Sequence, residues 1–165
     1  TELGGGTGHY KRAMLRSGRV RRYVAYDGVL DIERMTSGEV HWADLSAPQP
    51  YLVTSDWAMS LEVFEHIPRR FEDAVRRNVD RAAGDGVVIS WSVMGGSQSE
   101  HGHVNPKRKT QVRQFLAPIG MVEDRTASAS LRRCTTFLYL RRGIQVFRRN
   151  TTLGQRAVRS DGTVT

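Results

Sequence analysis

Apolar positions fall into short runs that alternate between strand-like and helix-like spacing. Thr1-Glu2-Leu3 reads as the last residues of a strand and runs into Gly4-Gly5-Gly6-Thr7-Gly8. Tyr10, Ala13 and Met14 then recur at helical spacing until Ser17-Gly18 stops the helix. Residues 22–26 predict a second strand ending at Asp27-Gly28, followed by a short helix over about 29–35. Residues 40–43 predict a third strand ending at Asp44-Leu45, with Pro48 and Pro50 in the loop beyond. Residues 57–61 predict a fourth, nearly all apolar, as a strand covered on both faces should be. A turn over 62–68 precedes a helix over about 69–83, whose inward stripe is Phe71, Ala74, Val75, Val79 and Ala82.

Residues 86–93 predict a fifth strand, and a loop rich in Gly, Ser and His runs from Met94 to Asn105. Pro106 opens a helix to about 117, with Asn105 as its expected cap and Val112, Phe115 and Leu116 inward. Residues 121–126 and 143–149 predict the sixth and seventh strands. Residues 151–165 carry few apolar side chains and read as a disordered tail, which leaves 1–150 as one domain. Strands alternating with helices predict an α/β fold: a mostly parallel sheet with helices on both faces. Ligands of such sheets lie at the carboxyl ends of the strands. The residues to inspect are therefore Glu2 to Gly8, Asp27, Asp44, Glu62 to His66 and the loop 94–105.

A length of 165 residues with 39% hydrophobic and 25% charged suits one domain with a real core. No apolar run approaches the ~20 residues of a membrane span, and no N-terminal stretch reads as a signal peptide. The single cysteine, Cys134, excludes a disulfide framework and a thiolate zinc site. It is expected as buried filler, and the setting as cytoplasmic. Trp42, Trp57 and Trp91 all fall on predicted strands, where packing is their expected role.

Charge divides the chain. Residues 1–100 hold 12 Lys+Arg against 14 Asp+Glu, and residues 101–165 hold 13 against 3. A basic half invites an RNA partner. Arginine bias offers a plainer account, because only 3 of the 25 basic residues are Lys and several Arg pairs flank apolar runs as solvated ends.

The glycine loop lies between a strand and a helix, the context in which backbone approaches a phosphate or nucleotide. Asp27 ends the next strand, 19 residues after Gly8, where a carboxylate can accept from a ribose. A dinucleotide fingerprint would need a third glycine where His9 stands, and there is no P-loop Lys-Ser/Thr pair. The pattern Glu2-Leu3-Gly4-Gly5-Gly6-Thr7-Gly8 instead resembles motif I of class I S-adenosylmethionine-dependent methyltransferases, type 11/23-like. Asp27, the Asp44-Leu45 pair and the stretch Ser60-Leu61-Glu62-Val63-Phe64-Glu65-His66-Ile67-Pro68 continue the resemblance, over residues 2–149.

The resemblance implies a Rossmann-like, seven-stranded sheet with an antiparallel last strand. It implies S-adenosylmethionine held by Glu2, Gly4, Gly6, Gly8, Asp27, Gly28, Asp44, Leu45 and Leu61. The family has helices and a full first strand before motif I. Only three residues precede Gly4 here, so the expectation is a truncated first strand in a chain lacking its N-terminal piece.

Glu62, Glu65 and His66 follow the fourth strand at i, i+3, i+4 spacing, and His101 and His103 follow the fifth. Carboxylates and imidazoles so grouped can hold a divalent metal. The set Glu62, Glu65, His66 and His103 resembles that of small-RNA 3′-terminal 2′-O-methyltransferases, and also that of ubiquinone-pathway O-methyltransferases. Metal-free members carry the same Glu-His-Ile-Pro stretch, where the side chains cap and pack the turn. His66, His101 and His103 are then candidate bases, since imidazole titrates near neutrality. The first reading is methyl transfer to a small-molecule acceptor, O- or N-linked. The others are an RNA 2′-O-methyltransferase with a Glu/His metal site and a non-catalytic Rossmann-like binding domain.

Overall fold

A computed structural model describes residues 1–92 and 102–150; His101 and the segment 151–165 lie outside the described residues. Seven strands form one sheet: β1 (Glu2–Leu3), β2 (Ala25–Asp27), β3 (His41–Trp42), β4 (Ser55–Leu61), β5 (Ala83–Ser90), β6 (Met121–Glu123) and β7 (Gln145–Arg149). Their order is β3-β2-β1-β4-β5-β7-β6. The pairs from β3 through β5 are parallel, and β7 runs antiparallel to both its neighbours. Chain order reverses between β1 and β4, which opens a crevice at their carboxyl ends.

Helices α1 (His9–Arg16), α2 (Ile32–Met35), α3 (Glu72–Ala82), α4 (Lys109–Leu116), α5 (Arg125–Cys134) and α6 (Leu138–Gly143) surround the sheet. The predicted stripes of α3 and α4 form the core: Val75, Val79, Ala82, Val112, Phe115 and Leu116 are buried against Leu3, Ala58, Val87, Ile89 and Phe147. Each such large apolar side chain contributes about 1.5–3 kcal/mol. Trp91 meets Phe64 and Phe115 edge-on, with ring centroids 5.5 and 5.2 Å away.

Several expectations change. The helix expected over 69–83 is split: Arg69–Phe71 is a 3₁₀ turn, and Ala83 already pairs with Ser55 as the first residue of β5. Helix α4 starts later than Pro106, and its N-cap is Arg108, whose N–H donates to Gln111 Oε1 at 2.9 Å. Asn105 is not the cap, because its backbone is used elsewhere: its N–H reaches Glu65 O at 2.9 Å, and its carbonyl accepts from Trp91 Nε1 at 2.6 Å.

The apolar pattern missed α5 and α6. Asp124 starts α5 by accepting from Ala127 N–H at 2.8 Å. Cys134 is exposed at the end of α5, beside Arg132 and Arg133, and is not core filler. Of the tryptophans, Trp91 is core just beyond β5, Trp42 is exposed on edge strand β3, and Trp57 lies under the Arg148 guanidinium at 5.1 Å. Helix α1 forms where expected and buries none of its residues. Among the described residues no helix is long and apolar enough to cross a membrane.

Candidate cofactor and acceptor site

Two clusters meet at the carboxyl ends of β1 and β4. In the first, Gly4, Gly6 and Gly8 all have positive φ (83°, 50° and 81°), the region L side chains avoid. At Gly4 a Cβ would stand 2.2 Å from Val63 Cγ2, so the glycine loop packs directly on the turn after β4. Asp27 fastens the other side of the loop. Its Oδ2 accepts Gly6 N–H at 2.8 Å and its Oδ1 accepts Val29 N–H at 2.9 Å. Each oxygen keeps a lone pair for a further donor.

Beside Asp27, Gly28 faces Ala43 O across the gap to β3, and Asp44 is exposed with Oδ1 turned to Ser46 N and Oγ at 2.9 and 2.6 Å. The Leu45 side chain is buried and its carbonyl accepts from Asn78 Nδ2 at 3.2 Å. Leu61 is half-buried at the end of β4. Glu2 is only 2% exposed, and burial pushes its carboxyl up to about 7 against the opposing pull of the Tyr23 hydroxyl. Tyr23 is itself raised, first by burial and then by Glu2.

The second cluster is built by the turn after β4. Glu62 has φ 55°, a left-handed conformation uncommon outside glycine, with its N–H held by Ser90 Oγ at 2.9 Å. The chain then makes a 3₁₀ turn over Phe64–His66. Phe64 is buried beneath it, while Glu65 O accepts both Val104 N–H and Asn105 N–H at 2.9 Å. These bonds bring the segment after β5 against the turn. The His66 and His103 rings stand edge to face with centroids 4.8 Å apart, and His66 Nδ1 lies 3.3 Å from Gly102 O.

One donor atom from each of Glu65, His66 and His103 lies within 4.8 Å of the others. Three of the four expected ligands therefore come together, and Glu62, next to Glu65, falls outside the set. Glu65 is fully buried, and neither carboxylate oxygen has a hydrogen bond of normal length and angle. Burial, with the Glu62 carboxyl beside it, pushes Glu65 well above the usual carboxylate range. A buried carboxylate next to two imidazoles fits a divalent cation. Donors on metal bonds of ~2.0–2.2 Å stand about 3–3.5 Å apart, so small side-chain rotations would close the set.

No protein-family model matches the chain, and no curated protein does. Solved structures do. The methyltransferase domain of bacterial CtHen1-C aligns with a TM-score of 0.64 at 13% identity, over 90% of this chain and 88% of that one. Magnesium protoporphyrin IX methyltransferase from Synechocystis PCC 6803, solved with bound SAM, aligns at 0.59 and 14% over 90% and 68%. A pericyclic reaction enzyme aligns at 0.56 and 12% over 89% and 41%. The chain has the class I S-adenosylmethionine-dependent methyltransferase fold. The third neighbour makes clear that this fold does not by itself set the reaction.

Within the methyltransferase fold, motif spacing found the glycine loop, Asp27, Asp44 and the acid–histidine turn. It missed Tyr23 beside Glu2, Val63 against Gly4, and Lys107. Lys107 is buried, pairs with Glu72 at 2.6 Å and stands 5.2 Å from the Trp91 ring centroid. None of the three carries a local signal, since each is defined by a contact distant in sequence.

Proposed function

We propose that this domain transfers a methyl group from S-adenosylmethionine to the 2′-hydroxyl of a 3′-terminal ribose of RNA, with the help of a divalent cation. The observation that carries this reading is the approach of Glu65, His66 and His103 within 4.8 Å. The similarity to the CtHen1 domains, which the chain spans to 88% of their length, supports it.

Glu65, His66 and His103 would hold the cation. When bound, it supplies a positive charge that gathers adjacent hydroxyl oxygens and favours loss of a proton from one of them. Glu65 is the anionic ligand and must give up its own proton first. Glu62, beside Glu65, is the candidate to take a proton from the acceptor. Glu2 faces the amino-acid end of the cofactor, and Gly4 and Gly6 let its backbone come near. Asp27 offers its free lone pairs to the ribose hydroxyls, with Gly28 and Asp44 flanking the adenine and Leu45 offering it a backbone N–H. Leu61 and Gly8 close the remaining sides. The sulfonium methyl is already activated, so alignment is the main task of these residues.

The test uses labelled S-adenosylmethionine with two oligoribonucleotides, one ending in a 2′,3′-diol and one in a 2′-deoxy sugar. Transfer to the diol alone, lost with chelator, restored by Mg²⁺ or Mn²⁺ and abolished in His66→Ala, is the expected result. Transfer indifferent to chelator overturns the metal role and leaves His66, His101 and His103 as candidate bases.

A second reading, transfer to a small apolar molecule, is favoured by one observation. Tyr139 stands near enough to Tyr10 to act on it, and with Phe137 and Leu138 they leave an exposed apolar surface. Transfer to such a compound and not to RNA would select it. Failure to bind S-adenosylmethionine at all would leave a non-catalytic binding domain.

A further inference from the structure

Along the carboxyl rim from the Glu65–His66–His103 cluster, toward the β7–β6 edge, lies an open cleft of about 540 Å³. It is lined by Arg108, Lys109, Thr110, Arg113, Glu123, Arg125 and Arg132. Because β7 runs against β5, its first residue, Gln145, pairs with Ile89 near the carboxyl end of β5. Gln145 Nε2 reaches Lys109 O at 3.4 Å, and Arg132 Nη1 reaches Ile144 O at 2.9 Å. These contacts draw the start of α4 and the end of α5 to the rim that carries the cluster.

The cleft holds five cationic side chains and one carboxylate. That carboxylate is spent locally: Glu123 accepts from Arg113 Nη1 at 2.7 Å, and although burial raises its carboxyl, hydrogen bonds from Arg113, Gln145 and Ser128 with the Arg113 charge together hold it below the usual range. Among the described residues, Arg108, Lys109, Arg125 and Arg132 have no acidic partner in the cleft. Arg108, the N-cap of α4, and Arg125, the first residue of α5, are both exposed to solvent.

We infer that this cleft seats backbone phosphates of a single-stranded RNA acceptor whose terminal ribose lies at the cluster. The inference rests on the proposed function and adds the surface that would select a phosphodiester chain over a neutral acceptor. The reach is compatible. Lys109 follows His103 by six residue steps, so their Cα atoms stand at most about 21 Å apart. That is the span of about six stacked nucleotides at ~3.4 Å each. Basic side chains at such a spacing neutralise phosphates without reading bases, which predicts weak dependence on sequence and strong dependence on salt.

The experiment compares the whole chain with Arg108→Ala/Arg125→Ala and with Arg77→Ala, an exposed arginine on α3 outside the cleft. Binding of a fluorescent single-stranded oligoribonucleotide is followed by polarization across a salt series. Methyl transfer is measured on that oligonucleotide and on adenosine, which has the vicinal hydroxyls and no phosphate. The double variant should reduce the log–log salt slope by about 1.4, two contacts at ~0.7 each, and Arg77→Ala should leave it unchanged. Its loss in kcat/KM should be greater on the oligonucleotide than on adenosine. A slope unchanged in the double variant, an equal change in Arg77→Ala, or no measurable binding by the parent chain overturns the inference. The two proposals fail separately. Transfer to both acceptors with an unmoved slope removes the cleft alone. A lowered slope with transfer to neither acceptor removes the proposed function and keeps the cleft.

Discussion

Asp27 holds the glycine loop through Gly6, whose backbone N–H donates to its Oδ2 at 2.8 Å. The same carboxylate proposed to meet the cofactor ribose therefore also shapes the loop that approaches it. Asp27→Ala leaves the amides of Gly6 and Val29 without their acceptor and removes the ribose partner. Titration calorimetry with S-adenosylmethionine should show affinity lower by about 1–3 kcal/mol, the scale of a charge-assisted hydrogen bond. Asp27→Asn keeps one acceptor and should fall between. Equal affinity in all three proteins would remove Asp27 from the binding site.

Under the proposed function, Glu2 should make both stability and cofactor affinity depend on pH. Its carboxyl has a folded pKa of about 7 and an ordinary value of 4.5. Between those values the folded state binds more protons than the unfolded state, so stability falls as pH rises from about 4.5 to 7 and levels off above. A cationic cofactor beside Glu2 favours the carboxylate, so affinity should rise over the same interval. Glu2→Gln should flatten both curves, measured by urea unfolding and by calorimetry at a series of pH values. A parent protein already flat in both leaves Glu2 without this role.

Gly4→Ala sets a methyl 2.2 Å from Val63 Cγ2 at φ +83°. The combined overlap and left-handed strain should destabilise the fold by about 1–3 kcal/mol. Adding Val63→Ala removes the overlap but not the strain, so the double variant should recover part of the loss. Urea midpoints at constant m test this; strictly additive losses would mean that the two residues do not press on each other.

Glu62 is held at φ 55°, where glycine has no penalty. Glu62→Gly should therefore raise stability by about 1 kcal/mol while lowering methyl transfer, the opposite movements that mark a strained functional residue. Thermal unfolding and initial rates read the two separately. Loss of stability together with unchanged rate would make Glu62 a structural residue.

The order of elements was legible wherever chemistry is local. Strand-end acids, glycines that need positive φ, and the stripe Val75-Val79-Ala82 each carry their meaning within a few residues. Boundaries failed where a distant partner decides them. Ala83 leaves the helix because Ser55 pairs with it, and Asn105 gives up capping because Glu65 and Trp91 claim its backbone. Helices α5 and α6 were hidden because their sequences, Arg125–Cys134 and Leu138–Gly143, bury few apolar side chains. In the site, spacing named Glu65, His66 and His103, and the order of strands put their two segments at one rim. Their close approach depends on two amides, from Val104 and Asn105, reaching one carbonyl.

The antiparallel return of β7 has a consequence for inheritance of specificity. Under the proposed function, residues up to Leu61 form the cofactor side of the rim, and those beyond it form the acceptor side. The part up to Leu61, with seven basic against seven acidic residues, thus meets the cofactor, and the base-rich later part meets an anion. Such a layout makes acceptor choice modular. A segment beginning after β4, transplanted onto another fold of this class, would carry its acceptor preference along and leave the host's cofactor preference behind.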